Sequence, residues 1–334
     1  MSTELASSLE RVIAPRASRY VALAAAATRA GKTTFHAAGV RHARDGGEVD
    51  EHTVFEIGSI TKVFTALLLA DQVVAGSVAL TEPLQELLPD VHLPVRGRPV
   101  TLVDLATHTS GFPRLPPGLV RQALRHQDDP YAHFAEDDLM ASLEGVRLKR
   151  DPGGKWAYSN FGAAVLGHAL ARRAGTTYEQ LLSERITTPL GLEDTVVRVR
   201  QDQEGRRAHG HKSRRRPTND WSMPSMPAMG ALHSTTADLA TFLAAQLDPG
   251  DSPLTEAIRL THAPRAGREP MQVALGWMLT SLPRGGPVTH WHNGGTGGAR
   301  SWAGFVAEAR DAMVVLTTGQ RAPDQLGITW LRSR

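Results

Sequence analysis

A serine and a lysine three residues apart are the first residues in this chain whose types and spacing suggest catalysis. Ser59 and Lys62 lie at the start of an apolar run that continues to Ala75 and is closed by Gly76. If the run is a helix, residues three apart share a face, so the lysine amine can reach the serine hydroxyl. Ser-x-x-Lys at a helix start is one known arrangement for activating a serine nucleophile. The same spacing also fits a serine that only caps the helix and a lysine that reaches solvent.

The helix that carries these residues is predicted to be buried. Apolar residues occupy nearly every angle of the run, and Asp71 and Gln72 are its only strongly polar interruptions. A helix that is apolar all round belongs inside a protein. A lysine there must be paired or deprotonated, because an isolated buried ammonium is costly. The free amides at the N-terminus of such a helix favour developing negative charge near Ser59.

A second candidate group, Tyr158-Ser159-Asn160, follows a Gly-rich turn and precedes an apolar helix predicted over 161–174. Loops ahead of buried helices often hold functional groups. A tyrosine whose pKa is lowered by a neighbouring lysine can act as a general base. An asparagine amide can donate to a substrate carbonyl. The local sequence alone favours a simpler interpretation, in which Asn160 caps the helix and Tyr158 packs in the interior.

A third group combines histidines and glycines near the end of the chain. His290 and His292 alternate onto one face of a predicted strand, which runs into the glycine-rich bend 294–298. Two histidines at this spacing can bind zinc, as can His209 and His211, but no convincing third ligand accompanies either pair. The glycines fit a backbone that approaches a ligand closely with free amides. The bend is not a phosphate loop, because no Gly-Lys-Ser/Thr follows it.

Composition describes a globular chain of 334 residues with 41% hydrophobic residues and no cysteine. A chain of this length can bury a large core, and the absence of cysteine excludes disulfides and thiolate metal sites. Its first residues show no basic region followed by an apolar core, and Val21–Thr28 is too short to span a bilayer. We therefore expect a cytoplasmic protein that does not bind membranes.

Basic residues concentrate in one segment, Arg206–Arg216, although the net charge is only +3. The segment fits either a solvated loop of an arginine-rich protein or a docking patch for an acidic partner or substrate. Nucleic acid is not expected as a partner, because no aromatic residues interleave the basic ones and no binding motif surrounds them.

Apolar periodicity places strands at both ends of the chain and helices between them. A hairpin is predicted over 20–40, and consecutive antiparallel strands over 274–318. This order predicts an α+β protein with an antiparallel sheet that is formed from both chain ends and flanked by helices. A mostly helical region is inserted between the two parts of the sheet. We assign two domains with the active site at their interface: a sheet domain, 1–75 and 200–334, and an inserted helical domain, 76–199.

Together these groups resemble the serine β-lactamase-like hydrolases, and more narrowly the class C β-lactamase, DD-peptidase and type VIII esterase group. Three catalytic motifs in the family's order are far more specific than any one of them. The resemblance covers roughly residues 20 to 320 and implies the multi-domain β-lactamase/transpeptidase-like fold. The matching segments are Phe55–Lys62, Leu105–Pro113, Pro152–Leu166, Pro189–Thr195, Leu232–Phe242 and His292–Gly294 with the glycines that follow.

The resemblance implies a role for each candidate residue. Ser59 would be the acylated nucleophile, and Lys62 and Tyr158 would take the hydroxyl proton and pass one to the leaving group. Asn160 would hold the acyl side of the substrate. The backbone amides of Ser59 and Gly295 would form the oxyanion hole, in which loss of one donor typically costs about 3 kcal/mol. No metal or organic cofactor is expected.

Several features depart from the family pattern. His292 stands where β-lactamases usually carry the lysine of Lys-Thr-Gly and where esterases of this group often carry histidine. The permanent cation that would meet a β-lactam carboxylate is then absent or pH-dependent. Ala299 stands where a larger, often aromatic residue is expected, and the basic segment is not part of the pattern.

We therefore predict a serine esterase or amidase that acts on a small-molecule ester or amide through an acyl-enzyme on Ser59. The alternative is a transacylase that moves the acyl group to an amine or alcohol in a biosynthetic pathway, with the basic segment docking an acidic acyl carrier. Efficient β-lactamase or DD-peptidase activity is less expected. A catalytically silent binding protein is disfavoured by the intact Ser59, Lys62 and Tyr158.

Overall fold

A computed structural model of the chain describes residues 2–44, 46–213, 216–281 and 286–333. Within these ranges the helices are α1 (Ser2–Ala17), α2 (Thr61–Val74), α3 (Leu84–Leu87), α4 (Leu102–Ala106), α5 (Leu119–Ala123), α6 (Glu136–Gly145), α7 (Asn160–Ala174), α8 (Tyr178–Leu182), α9 (Gln201–Glu204), α10 (Thr236–Leu247), α11 (Thr255–His262) and α12 (Asp324–Arg332).

The strands in the same ranges are β1 (Ala22–Arg29), β2 (Lys32–His42), β3 (Gly46–Glu48), β4 (Phe55–Glu56), β5 (His211–Ser213), β6 (Arg216–Pro217), β7 (His233–Ser234), β8 (Ala266–Arg268), β9 (Met271–Val273), β10 (Met278–Ser281), β11 (Val288–Gly295), β12 (Ala299–Val306) and β13 (Asp311–Thr318).

The main sheet joins the two ends of the chain. Its order is β3-β2-β1-β13-β12-β11-β10-β9-β8, with every neighbouring pair antiparallel. β1 pairs with β13 over the register Leu23↔Thr317 to Arg29↔Asp311, so the first hairpin and the C-terminal strands form one sheet. The predicted α+β architecture is confirmed, including an antiparallel sheet built from both chain ends.

Side chains alternate between two cores because successive strand residues point to opposite faces. On β1, Ala24 and Ala26 belong to the larger core with α2, α7, α10 and α11. Leu23 and Ala25 belong to a smaller core with α1 and α12, in which Trp302 and Trp330 are buried. Both faces of the sheet centre are therefore covered by helices.

The apolar helix α2 lies in the larger core, where its residues from Thr61 to Gln72 are buried. Its two acidic or amide side chains have internal partners. Asp71 accepts two hydrogen bonds from Arg185, and Gln72 donates to the carbonyl of Leu170. The prediction of a buried central helix is confirmed, and the helix presents its N-terminus to the end of β11.

Residues 76–199 contain helices α3 to α8 and none of the strands named above. The division into a sheet domain and an inserted helical domain stays a prediction. Among the described residues, no helix is both long and apolar enough to cross a membrane.

Candidate active site

Ser59 lies in a 3₁₀ turn, Gly58–Ile60, which leads directly into α2. Lys62 is in the first turn of α2, and its Nζ atom lies 2.9 Å from Ser59 Oγ. The same amine donates to the backbone oxygen of Met229. The lysine side chain is only 4% exposed, so it does not reach solvent. The structure thus brings Ser59 and Lys62 together as the three-residue spacing predicts.

The electrostatic surroundings of Lys62 favour its neutral form. Burial lowers its pKa well below the usual value for lysine, and the positive charge of Arg114 lowers it further. No carboxylate is among its hydrogen-bond partners in the described part of the chain. An uncharged amine has a lone pair that can accept a proton from the serine hydroxyl.

Tyr158 completes this group, because its phenol is close enough to Ser59 for the serine hydroxyl to lower the pKa of the phenol. Its ring centroid lies 5.2 Å from Lys62 Nζ. Burial raises the pKa of Tyr158 to about 12, although the Ser59 hydroxyl and Arg114 act in the opposite direction. The possibility that a neighbouring lysine lowers the pKa of this tyrosine is therefore not realised, because the net effect of its surroundings is to raise it. Burial outweighs the effects that lower the pKa of Tyr158.

Asn160 is the first residue of α7, and Ser159 is the cap. The Ser159 hydroxyl accepts a hydrogen bond from the amide of Gly162 at 2.9 Å and donates to the carbonyl of Pro113 at 2.7 Å. The interpretation of Asn160 as the cap is therefore wrong. Its side chain is free for another role, and its buried Oδ1 has no hydrogen-bond partner among the described residues.

His292 lies on β11 with its side chain buried at 2% exposure. Burial, followed by the proximity of Lys62, lowers its pKa to about 3. Its Nδ1 donates to the carbonyl of Asn293 at 2.7 Å, and its ring centroid lies 6.2 Å from that of Tyr158. The histidine is therefore beside the reacting groups and uncharged at neutral pH.

Gly295, the last residue of β11, lies against the turn that holds Ser59. A Cβ atom on Gly58 would come 2.6 Å from the Gly295 nitrogen, and one on Gly294 would come 2.0 Å from the Ile57 oxygen. Side chains at these two positions would push the strand away from the serine. The close approach brings the Gly295 amide next to the turn of Ser59, and the role of the two amides as an oxyanion hole stays a prediction.

Two residues near the serine were not singled out from the sequence. His108 accepts a hydrogen bond from the Ser159 amide at 3.2 Å, and its ring centroid lies 4.4 Å from that of Tyr158. Burial, Lys62 and His292 lower its pKa well below the usual value for histidine. Arg114 places its guanidinium carbon 5.4 Å from the Tyr158 ring centroid. His108 belongs to a segment that matches the family pattern, whereas Arg114 follows it directly.

Glu56 is a third such residue, three positions before Ser59. Its carboxyl group accepts hydrogen bonds from the Trp221 amide at 2.9 Å and from the Thr296 hydroxyl at 2.7 Å. Burial, followed by the charge of Asp220, raises its pKa to about 8. Glu56 thus joins the serine turn to the glycine bend after β11.

The basic segment Arg206–Arg216 is largely paired within the chain. Arg206 contacts Asp194, Arg207 contacts Asp220, and Lys212 contacts Asp128, each at 2.7 or 2.8 Å. Arg214 and Arg215 lie outside the described residues. The docking of an acidic partner to this segment stays a prediction.

The histidine pairs form no recognised metal site. In the described ranges, no group of three or more histidine, aspartate or glutamate side chains is arranged to hold a metal ion. His209 and His211 pack against the ring of His42, at centroid distances of 5.1 and 5.8 Å.

Comparison with known proteins identifies the class to which this fold belongs. Residues 9–332 match the family model described as Beta-lactamase, so the chain belongs to the beta-lactamase family and has the fold of its serine hydrolases. A solved structure titled "A class C beta-lactamase" superposes with a TM-score of 0.87 at 21% identity, covering 99% of this chain and 97% of that one. This likeness establishes the fold alone.

Two relatives illustrate the range of similarity in sequence. The D-alanyl-D-alanine-carboxypeptidase/endopeptidase AmpH of Escherichia coli (strain K12) is 37% identical over 153 residues, which is 45% of this chain and 38% of AmpH. A Beta-lactamase of Pseudomonas fluorescens is 26% identical over 266 residues, covering 78% of this chain and 70% of the relative. The chain therefore aligns with less than half of the length of AmpH.

Proposed function

We propose that the protein is a serine esterase that cleaves small-molecule carboxylic esters, or related amides, through an acyl-enzyme on Ser59. The observation that carries the proposal is the contact between Ser59 Oγ and Lys62 Nζ at 2.9 Å, beside the phenol of Tyr158. A nucleophile, an uncharged amine and a protonated phenol are the groups that acyl transfer needs.

Acylation follows from the protonation states of these groups. Ser59 Oγ attacks the carbonyl carbon of the ester while Lys62 Nζ accepts the hydroxyl proton. The C–O bond to the leaving group then breaks, and Tyr158 donates a proton to the departing oxygen. Lys62 returns its proton to Tyr158, so both groups are restored and one alcohol is released. The amides of Ser59 and Gly295 would stabilise the oxyanion during attack.

Deacylation repeats these steps with water as the nucleophile and releases a carboxylic acid. The transacylase alternative uses the same acyl-enzyme and replaces water with an amine or alcohol. Both reactions form the same covalent bond to Ser59, so they differ in the product and not in the first step. The location in the cytoplasm, which would suit either reaction, is part of the proposal.

The state of His292 supports esters over β-lactams. A β-lactam bears a carboxylate, and a cation at this strand position would attract it. His292 is buried and uncharged at neutral pH because burial lowers its pKa to about 3. A second candidate function, peptidase or β-lactamase activity, is favoured by the names of AmpH and of the Pseudomonas fluorescens relative.

The first experiment measures covalent adducts and turnover together. Purified protein is mixed with p-nitrophenyl acetate or a fluorophosphonate, and intact mass is recorded for wild type and Ser59→Ala. We expect one adduct on wild type and none on Ser59→Ala. An adduct of the same mass on Ser59→Ala would exclude Ser59 as the nucleophile.

A second set of assays separates the candidate reactions. The kcat/KM values for p-nitrophenyl acetate, nitrocefin and a peptide ending in D-alanyl-D-alanine are compared, and ester turnover is repeated with added amines. The esterase proposal predicts the largest value for the ester and an unchanged carboxylic acid product. A larger value for either of the other substrates would favour the second candidate, and an amide product would favour the transacylase.

A further inference from the structure

We propose that Arg114 is a specificity residue that binds a carboxylate on the acyl half of the substrate. The inference rests on the proposed function, because it assumes that the acyl group is attached to Ser59. It names the substrate class as esters or amides whose acyl chain ends in a negative charge, such as monoesters of dicarboxylic acids.

The backbone of Arg114 is held at the edge of the site. Its carbonyl accepts hydrogen bonds from the amide of Asn160 at 2.9 Å and from that of Phe161 at 3.3 Å. These bonds attach the residue to the N-terminus of α7, beside the asparagine proposed to hold the acyl side. The guanidinium carbon lies 5.4 Å from the Tyr158 ring centroid. The backbone of Arg114 is thus next to Asn160, and its guanidinium is next to Tyr158.

The guanidinium of Arg114 is available to a ligand. It is solvent-exposed, and it makes no ion pair or hydrogen bond with any residue in the described ranges. Two other cations, by contrast, are occupied: Lys212 pairs with Asp128, and Arg300 donates to the carbonyl of Thr296. An arginine presents a planar fork of donors that matches a carboxylate in two parallel hydrogen bonds.

Arg114 supplies the permanent charge that β11 lacks. At the strand position where β-lactamases carry lysine, His292 is uncharged at neutral pH because burial lowers its pKa to about 3. The charge of Arg114 already acts on the reacting groups, since it adds to burial in lowering the pKa of Lys62. A negative group on the substrate would therefore be attracted by Arg114, next to α7, and not by a cation on β11.

Tyr131 and Tyr158 are aromatic side chains close enough to Arg114 for its charge to affect their pKa values. The rings of Tyr131 and Trp221 meet edge to face at 5.2 Å, and a Cβ atom on Gly297 would lie 2.6 Å from the Trp221 indole nitrogen. Burial raises the pKa of Tyr131, and the charge of Arg114 opposes this rise. Tyr131 and Tyr158 are thus both within the field of Arg114. An aliphatic acyl chain would pack on these rings and direct its terminal carboxylate to the guanidinium.

The test compares two esters that differ in one charge. p-Nitrophenyl hydrogen adipate has a free carboxylate on its acyl chain, and p-nitrophenyl methyl adipate carries the neutral methyl ester at the same place. A third ester, m-carboxyphenyl butyrate, places the charge on the leaving group. The kcat/KM value of each is measured for wild type, Arg114→Gln, Arg114→Lys and the control Arg11→Gln, which alters an exposed arginine on α1.

We expect wild type to prefer hydrogen adipate to methyl adipate by about tenfold, the size of a typical hydrogen bond to a charged group. Arg114→Gln should remove this preference, Arg114→Lys should retain part of it, and Arg11→Gln should leave it unchanged. The preference should also decrease at high ionic strength. The ratio cancels the change in Lys62 basicity, since that change affects both esters alike.

Equal losses for hydrogen and methyl adipate in Arg114→Gln would overturn the inference and assign Arg114 to positioning Tyr158. A decrease of kcat/KM in Arg114→Gln that occurs only for m-carboxyphenyl butyrate would also overturn the inference, because Arg114 would then bind a carboxylate on the leaving-group side. If none of the three esters acylates wild-type Ser59, the proposed function fails. If all acylate it without charge preference, only the inference fails.

Discussion

At the scale of single residues, the candidate site is a cluster of bases whose pKa values are lowered by burial. Lys62, His108 and His292 all have a pKa lowered first by burial and then by one another or by Arg114. Each neutral group lowers the cost of burying its neighbours, because like charges in a shared interior repel strongly. An uncharged lysine beside a serine is the state that a general base requires.

The assigned proton roles predict the effect of two substitutions. In Lys62→Ala the base is missing, and in Tyr158→Phe the proton donor is missing. Each should reduce the acylation rate by about 10² to 10⁴-fold, the usual range for general acid–base catalysis. Stopped-flow release of p-nitrophenol measures this rate, and thermal unfolding checks that the fold persists.

Tyr20→Phe is the matched control for Tyr158→Phe. The Tyr20 hydroxyl makes a single long contact, 3.5 Å from the carbonyl of Ala322, in the smaller core. The Tyr20→Phe variant should be acylated at the wild-type rate. A wild-type rate in Tyr158→Phe as well would contradict the role of the phenol as proton donor.

At the scale of elements, the start of α7 positions the second catalytic segment. The Ser159 hydroxyl bonds both to Gly162 within the helix and to Pro113 in the preceding loop. Tyr158 and Asn160 flank this serine, so their positions depend on the cap. The same loop carries Arg114 and contacts α7 through the Asn160 amide.

Ser159→Ala should therefore affect stability and catalysis together. Loss of a helix cap costs about 1 kcal/mol in the free energy of unfolding. We also expect a slower acylation rate, because the segment with Tyr158 is no longer attached to Pro113. Urea denaturation and acylation kinetics measure the two effects.

A second cap in the chain provides the comparison. Thr177 caps α8 by accepting a hydrogen bond from the amide of Gln180. Thr177→Ala should lower stability by a similar amount and leave acylation unchanged. If Ser159→Ala and Thr177→Ala slow acylation equally, the slower rate is caused by general destabilisation and not by a displaced Tyr158.

At the scale of the whole molecule, Glu56 connects parts of the chain that are far apart in sequence. It lies on β4, and its carboxyl group contacts Trp221 and Thr296, which are 165 and 240 residues away. Burial and Asp220 raise its pKa to about 8 from a usual value of 4.5. A carboxyl group whose pKa rises on folding stabilises the folded state most at low pH. This contribution is complete below pH 4.5 and is lost as the pH rises through 8.

Glu56→Gln should remove this pH dependence. Glutamine keeps an acceptor for the Trp221 amide and presents a donor to the Thr296 hydroxyl, but it does not ionise. The free energy of unfolding should fall between pH 5 and pH 9 more steeply for wild type than for Glu56→Gln. Urea denaturation at several pH values measures the slope. Glu10→Gln, on the exposed side of α1, is the control and should follow wild type; identical slopes for wild type and Glu56→Gln would contradict the raised pKa.

Much of the fold could be predicted from the sequence because its signals are local. The alternation of apolar residues marked the strands, and the apolar run after Ser59 marked α2, which is buried as expected. The sheet from both chain ends followed from the order of these elements. The cap of α7 was assigned one residue too late, because Ser159 and Asn160 are both good capping residues and only the contact with Pro113 distinguishes them.

The residues of the candidate site could be predicted from the sequence, but their pKa values could not. The spacing of Ser59 and Lys62 places them in contact through one helical turn, whatever the rest of the chain does. Tyr158 and His292 joined them only through the order of known motifs. The sequence left open whether a lysine lowers the pKa of Tyr158, since a sequence does not show how deeply a phenol is buried.

By itself, the sequence determined the candidate nucleophile, its lysine neighbour and the kind of sheet that supports them, because spacing and periodicity act over a few residues. Only the tertiary structure decided which groups carry charge in the site. Burial and Coulomb interactions depend on residues that are distant along the chain, so the lowered pKa values of Lys62 and His292 emerged only when the chain was folded. The same is true of Arg114, whose position beside Tyr158 has no signal in the sequence.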